Sequence, residues 1–194
     1  MTTFDFGNGP VPAHKHRNPD GSEGGWVADT ARVAGTARVA GTARVAGNAR
    51  VEGNARVEGT AWVEGNAWVE GNAWVEGNAW VAGNAWVAGN ARVEGNAWVE
   101  GNARVEGNAR VEGDGDIAFG RAGGHDWTAY REKGKRVVLQ YGCETHALSE
   151  WAALHDELAK RHGIPGHGAV TRRVVRAVKA LLDVAAPAKK ARAA

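Results

Sequence analysis

The chain has 194 residues and a net charge of +2, and its 28 glycines and nine tryptophans against three phenylalanines and one methionine mark a repeat rather than an ordinary globular mixture. The charge is uneven, with two basic against three acidic residues over 1–25, eight against ten over 26–113 and fourteen against nine over 114–194, so only the last third is basic. No apolar run approaches the roughly 20 residues of a membrane span and the start lacks the layout of a secretory signal, so a cytoplasmic protein without membrane contact is expected.

Residues 1–25 carry Gly7, Gly9, Pro10, Pro12, Pro19, Gly21, Gly24 and Gly25 and read as an irregular N-terminal cap. Its expected task is to cover the first open edge of the repeat that begins at Trp26, with Phe4, Phe6 and Val11 as the apolar residues available.

From Trp26 to Gly113 a six-residue unit recurs without insertion or deletion: valine, glutamate or alanine, glycine, asparagine or threonine, alanine, arginine or tryptophan. Valine stands at fifteen consecutive sixes, from Val27 to Val111, and Ile117 stands where a sixteenth would fall. A period of six fits neither the 3.6 of a helix nor a plain hairpin, but it does fit a short strand and a corner. Glycine followed by asparagine supplies the residues that tolerate a bend.

The units resemble the hexapeptide repeat of left-handed parallel β-helices, and Val51, Glu52, Gly53, Asn54, Ala55 and Arg56 match each constrained place. That resemblance implies three units per triangular coil and therefore about five coils over residues 26–115. Residues eighteen apart then lie above one another, valines inward, with amide ladders along Asn48, Asn66, Asn84 and Asn102 and along Asn54, Asn72, Asn90 and Asn108. The outward residues sort into three faces. The first carries Trp26, Arg44, Trp62, Trp80 and Trp98 beside Ala28, Ala46, Glu64, Ala82 and Glu100, and is the most apolar. The second carries Arg32, Arg50, Trp68, Trp86 and Arg104. The third carries Arg38, Arg56, Trp74, Arg92 and Arg110 beside Glu58, Glu76, Glu94 and Glu112, a charged lattice expected to stay solvated.

Beyond Asp114 the period decays. His125–Arg131 and Val137–Tyr141 read as a hairpin with Gly134 at its bend, Leu148–His162 and Val170–Val184 as helices broken apart by Gly163–Gly168 with Pro165, and 187–194 as a disordered tail. The expected architecture is mainly β, with a cap over 1–25, the solenoid over 26–115 and a small α+β module over 116–186.

Phe4–Pro12 and Gly25–Thr30 at the front, with Thr128–Tyr130, Gly142-Cys143 and Leu148–Trp151 at the back, make the chain similar to hexapeptide-repeat proteins encoded by phages and prophages. One departure is Ala147, where that pattern places a threonine, so the helix lacks a good N-cap. The likeness implies a phage or prophage setting more than an activity.

Hexapeptide β-helices also resemble acyltransferases and γ-class carbonic anhydrases, which use histidine as base or metal ligand. The repeat here holds no histidine, cysteine, serine or lysine, so no enzyme chemistry, cofactor or metal is expected on it. The seven histidines lie outside it: His14 and His16 pair on the cap, and His155, His162 and His167 surround a helix end, with no spacing that matches a ligand set. The lone cysteine, Cys143, precedes a helix and is a candidate reactive thiol. Arg172, Arg173, Arg176 and Lys179 on the second helix form a candidate anion site, although nucleic acid is not expected.

Three readings of the tryptophan and arginine ladders stay open: a self-association face, a stacking site for an anionic small molecule or nucleotide, and plain stabilisation of the stack. Three tryptophans in succession on the first face make a contiguous apolar patch, and such patches mark contact surfaces. A non-enzymatic scaffold is therefore expected, self-associating through Trp26, Arg44, Trp62, Trp80 and Trp98 as a dimer or trimer. Trp68 and Trp86 form a secondary ladder, and the C-terminal module offers a possible partner site.

Overall fold

The computed structural model describes residues 2–113, 116–122, 124–131, 136–142, 144–161 and 167–184. The bend at Gly134, Cys143, His162, the break at 163–166, residues 185–186 and the tail 187–194 lie outside it, as do the side chains of His155 and His167.

The chain is mainly β, a β-solenoid of five coils followed by a small α+β module. Two-residue strands, β4 to β17, recur every six residues from Arg32–Val33 to Arg110–Val111, and each up to Arg92–Val93 pairs in parallel with the strand eighteen residues further on, as in Trp62 with Trp80 and Val63 with Val81. Three sheets result, one for each face inferred from the repeat. From Val39 to Val111 every repeat valine is fully buried, each contributing roughly 1.5–3 kcal/mol of apolar burial. The repeat alanines fill the corners at 0–1% exposure from Ala37 to Ala109.

The corners explain the glycines. From Gly41 to Gly107 each repeat glycine has φ between +64° and +72°, which a side chain adopts at a cost. At Gly65 a Cβ would also press on the next coil's backbone, 2.9 Å from Gly83 O and 3.0 Å from Gly83 N. Both expected amide ladders form, Asn48 Nδ2 donating to Asn66 Oδ1 at 3.3 Å and Asn54 Nδ2 to Asn72 Oδ1 at 3.3 Å.

The N-terminal segment covers two faces of the first coil, and it is not irregular. β1 (Thr3–Asp5) and β2 (Pro10–Arg17) form an antiparallel pair, and β2 pairs with β3 (Glu23–Ala28), which is the first strand of the first face. On the third face side chains replace a missing coil: Asn18 Oδ1 accepts the Val39 N–H at 2.9 Å and His16 Nε2 meets Ala37 O at 3.2 Å. Gly24 and Gly25 let the chain pass closely, since a Cβ would lie 1.9 Å from Val39 O and 2.1 Å from Ala43 O respectively. Phe6 packs with Ala28 and Ala46, whereas Val11 is 41% exposed.

At the other end the hairpin expected from the sequence is the centre of a four-stranded antiparallel sheet: β18 (Ile117–Ala122), β19 (His125–Arg131), β20 (Val137–Tyr141) and β21 (Glu144–Ala147). Ile117, Tyr130 and Val138 join the solenoid core, and Thr128 Oγ1 accepts the Arg104 N–H at 2.9 Å. The sheet's far side packs on α1 (Leu148–Arg161) and α2 (His167–Val184) around Leu139, Trp151, Leu158 and Val178. α2 begins at His167, inside the stretch expected to be a break. Ala147 does lack a capping side chain, but Glu150 Oε2 accepts its backbone N–H at 3.0 Å, the half of a capping box that glutamate supplies.

Candidate functional site

The expected first face exists as neighbouring rungs of one sheet, Trp26 beside Arg44, Arg44 beside Trp62, then Trp80 and Trp98. Its side chains form one stacked column. Lys15 Nζ lies 5.0 Å from the Trp26 ring, Phe4 stacks on the other side of that ring at 4.6 Å, and Arg44 bridges Phe4 at 5.4 Å and Trp62 at 5.8 Å. Trp62 and Trp80 continue it at 5.4 Å and 11°, then Trp80 and Trp98 at 4.8 Å and 13°. Phe4 is the member that the sequence does not betray, because nothing in the repeat announces a ring inserted from outside it.

The second ladder forms as well, with Trp68 and Trp86 stacked at 5.8 Å between Arg50 and Arg104. On the third face Trp74 lies between Arg56 at 5.4 Å and Arg92 at 4.5 Å. Among the described residues every repeat tryptophan therefore has a ring or a cation against both faces except Trp98, which stacks on Trp80 and is 44% exposed. The columns leave no gap between rings for a planar ligand.

A further contact emerges only in three dimensions. The outward residue at one place reaches back to the glutamate sixteen earlier, on the preceding coil. Trp80 Nε1 donates to Glu64 at 3.0 Å, Trp86 Nε1 to Glu70 at 3.0 Å, Arg92 to Glu76 at 3.3 Å and Arg110 to Glu94 at 3.0 Å. Where alanine occupies that earlier place, at Ala46, the indole N–H of Trp62 is buried without an acceptor. The indoles of Trp68 and Trp74 also lack one although Glu52 and Glu58 stand sixteen earlier; Glu58 is turned instead to Arg38 at 3.4 Å. The third-face lattice is less solvated than expected. Glu94 is 9% exposed because Arg92 and Arg110 close over it from both sides. Asp20 extends this lattice from the cap, where hydrogen bonds from Ser22, then Arg38, hold its carboxyl well below the usual range.

The remaining candidates do not converge. Arg172, Arg173, Arg176 and Lys179 are exposed on α2, but Arg172 is turned to Asp156 at 3.0 Å. Arg173 shares with Arg121 the rim of a groove of about 460 Å³ floored by Trp127, Val170 and Val174. His14 is engaged by Asp29 at 2.8 Å and His16 is buried against Ala37, so the expected pair is split. Among the described residues no group of three or more potential metal ligands occurs, and no helix is long and apolar enough to cross a membrane.

Comparison with known proteins bears on the solenoid. A search of curated proteins gives no match, and neither does a search of solved structures. Residues 26–119 match the sequence model of a family described as bactofilin, polymer-forming cytoskeletal. The stretch that carries all three tryptophan columns is thus similar to a polymer-forming structural family.

Proposed function

We propose that this chain is a non-enzymatic structural protein that self-associates side by side through its first face, as a dimer or trimer or as the lateral contact of a larger polymer. The observation that carries the reading is the continuous Trp62–Trp80–Trp98 column ending in a ring 44% exposed. Large aromatic side chains left in contiguous contact with water are the residues that interfaces use as anchors. The covered ends add support: β2 and the Asn18 segment cover two of the three faces of the first coil, leaving Arg32–Val33 as an edge strand, and the C-terminal sheet packs on the last coil, so most of the surface the solenoid offers a partner is lateral. Similarity to a family described as polymer-forming points the same way.

Within this proposal the C-terminal module is a secondary partner surface, through the groove rimmed by Arg121 and Arg173. The phage or prophage setting rests on the sequence likeness of the two ends alone. The test is mass by light scattering for the parent and for a variant with Trp62, Trp80 and Trp98 changed to serine. The expected result is a multimeric parent and a monomeric variant with unchanged circular dichroism. A monomeric parent, or a variant of unchanged mass, would end the proposal.

A further inference from the structure

We infer that residues 2–9 form a flap over the N-terminal half of the first face and hold the chain's self-association in check, the occupant they compete with being the first face of a second copy. This regulation rests on the first-face reading and adds a control to it.

The flap covers the face with the same chemistry that a partner would bring. Phe4 stacks on Trp26 at 4.6 Å and 18°, with the Arg44 guanidinium 5.4 Å from its ring. Phe6 stands edge-on to Phe4 at 4.9 Å and is 6% exposed, packed with Ala28 and Ala46. The turn that follows reaches the next rung, where a Cβ on Gly7 would lie 3.6 Å from Cη2 of Trp62. The rungs of Trp26 and Arg44 are therefore covered from within the chain and that of Trp62 is touched at its edge. The rungs of Trp80 and Trp98 lie beyond the flap, and Trp98 is 44% exposed.

The attachment of the flap is slight. β1 is three residues long, the outermost strand of its sheet, and β2 is its one neighbour there. The turn between them runs through Gly7 and Gly9 at φ +107° and +96°. It is held by a single carboxylate oxygen, Asp5 Oδ1, which accepts the Gly7 N–H at 2.7 Å and the Gly9 N–H at 3.0 Å. A short terminal strand with one neighbour belongs to the part of a fold that opens first. Opening it leaves the cap in place, because β2 pairs with β3 from Ala13 onward and Asn18 binds Val39 independently of residues 2–9.

Competition follows from tethering. A segment joined to its site by a short link acts at an effective concentration of about millimolar, so a second copy meets the covered rungs only by displacing the flap. With the flap open, Trp26, Ala46 and the whole edge of Trp62 join Trp80 and Trp98 in one longer apolar strip.

The experiment is sedimentation equilibrium of the parent, of Asp5→Ala and of Phe4→Ser with Phe6→Ser, each with and without Trp62, Trp80 and Trp98 changed to serine. Asp5 is exposed, so its loss acts on the turn rather than on the apolar contacts. Chymotrypsin cleavage after Phe6 reports whether the flap is open in that variant. The expected result is faster cleavage in Asp5→Ala and self-association about tenfold tighter in both flap variants, the size of one added interface anchor. The three tryptophan changes should remove the gain. If Asp5→Ala stays closed, its association stays at the parent's value and the double phenylalanine variant decides. If that variant associates no more tightly than the parent, or Asp5→Ala opens without tighter association, the flap is no gate; the first-face reading stands as long as the tryptophan-to-serine variant is monomeric. If the tryptophan-to-serine variant keeps its mass, or the gain survives those changes, the first-face reading falls and the gate with it.

Discussion

Replacing Asn18 by alanine probes how the solenoid is closed. Asn18 is 3% exposed, and its Oδ1 is the acceptor for the buried Val39 N–H, which has no preceding coil to bind. An orphaned buried donor costs about 1–3 kcal/mol, and loss of the Asn18 Nδ2 bond to Ser22 Oγ adds a few tenths, so about 2 kcal/mol is expected. A coil contacts only its neighbours, so the loss is confined to the first coil rather than shared along the stack. Amide hydrogen exchange reads this directly. Exchange at Val39 is expected to quicken by roughly 30-fold, while Val75, two coils on, stays protected. Unchanged protection at Val39 would refute the assignment of Asn18 as a substitute rung, and uniform loss along the stack would refute nearest-neighbour coupling.

Three other outcomes are expected. Gly65→Ala places a Cβ at φ +71° against the Gly83 backbone and should lower stability by roughly 2–3 kcal/mol in denaturant titration. Gly35→Ala, with open space around it and no positive φ, should stay within about 0.5 kcal/mol of the parent. Glu64→Ala strips the acceptor from the Trp80 indole and should cost about 1 kcal/mol in the same assay, an effect that Glu52→Ala, whose carboxylate receives no indole, does not share. Burial pushes the His16 imidazole below the ordinary histidine pKa, against its bond to Ala37 and with a smaller push from His14. The unfolded chain therefore takes up the proton first, and this contribution is full above the ordinary histidine pKa and lost as pH falls through it toward the lowered folded value. Melting of the parent should drop between about pH 7 and pH 5 by more than that of His16→Ala.

The repeat is readable because each constraint recurs: valine where the chain turns inward, glycine where φ must be positive, and a spacing that brings residues eighteen apart into register. Sorting the arginines and tryptophans into three faces needs nothing more. What the sequence hides depends on contacts between unlike segments. Pro10 and Pro12 read as breakers, yet both sit in β2, opposite Asp5 and Thr3 and ahead of Ala13, where the register with β3 begins, so neither missing N–H interrupts that pairing. β18 is obscured by Gly120, whose place is set by the Trp127 indole lying across it; a Cβ there would be 2.8 Å from that ring. The reach of sixteen residues from Trp80 back to Glu64 is invisible until coils are stacked. The same holds for Phe4, which completes the first column from outside the repeat.

The most direct test of self-association through the first face compares the three faces side by side by sedimentation velocity: Trp62, Trp80 and Trp98 changed to serine, Trp68 and Trp86 changed to serine, and Trp74 changed to serine. The first variant alone is expected to lose the multimer. Loss of assembly in the second or third variant, with the first still multimeric, would contradict a first-face interface.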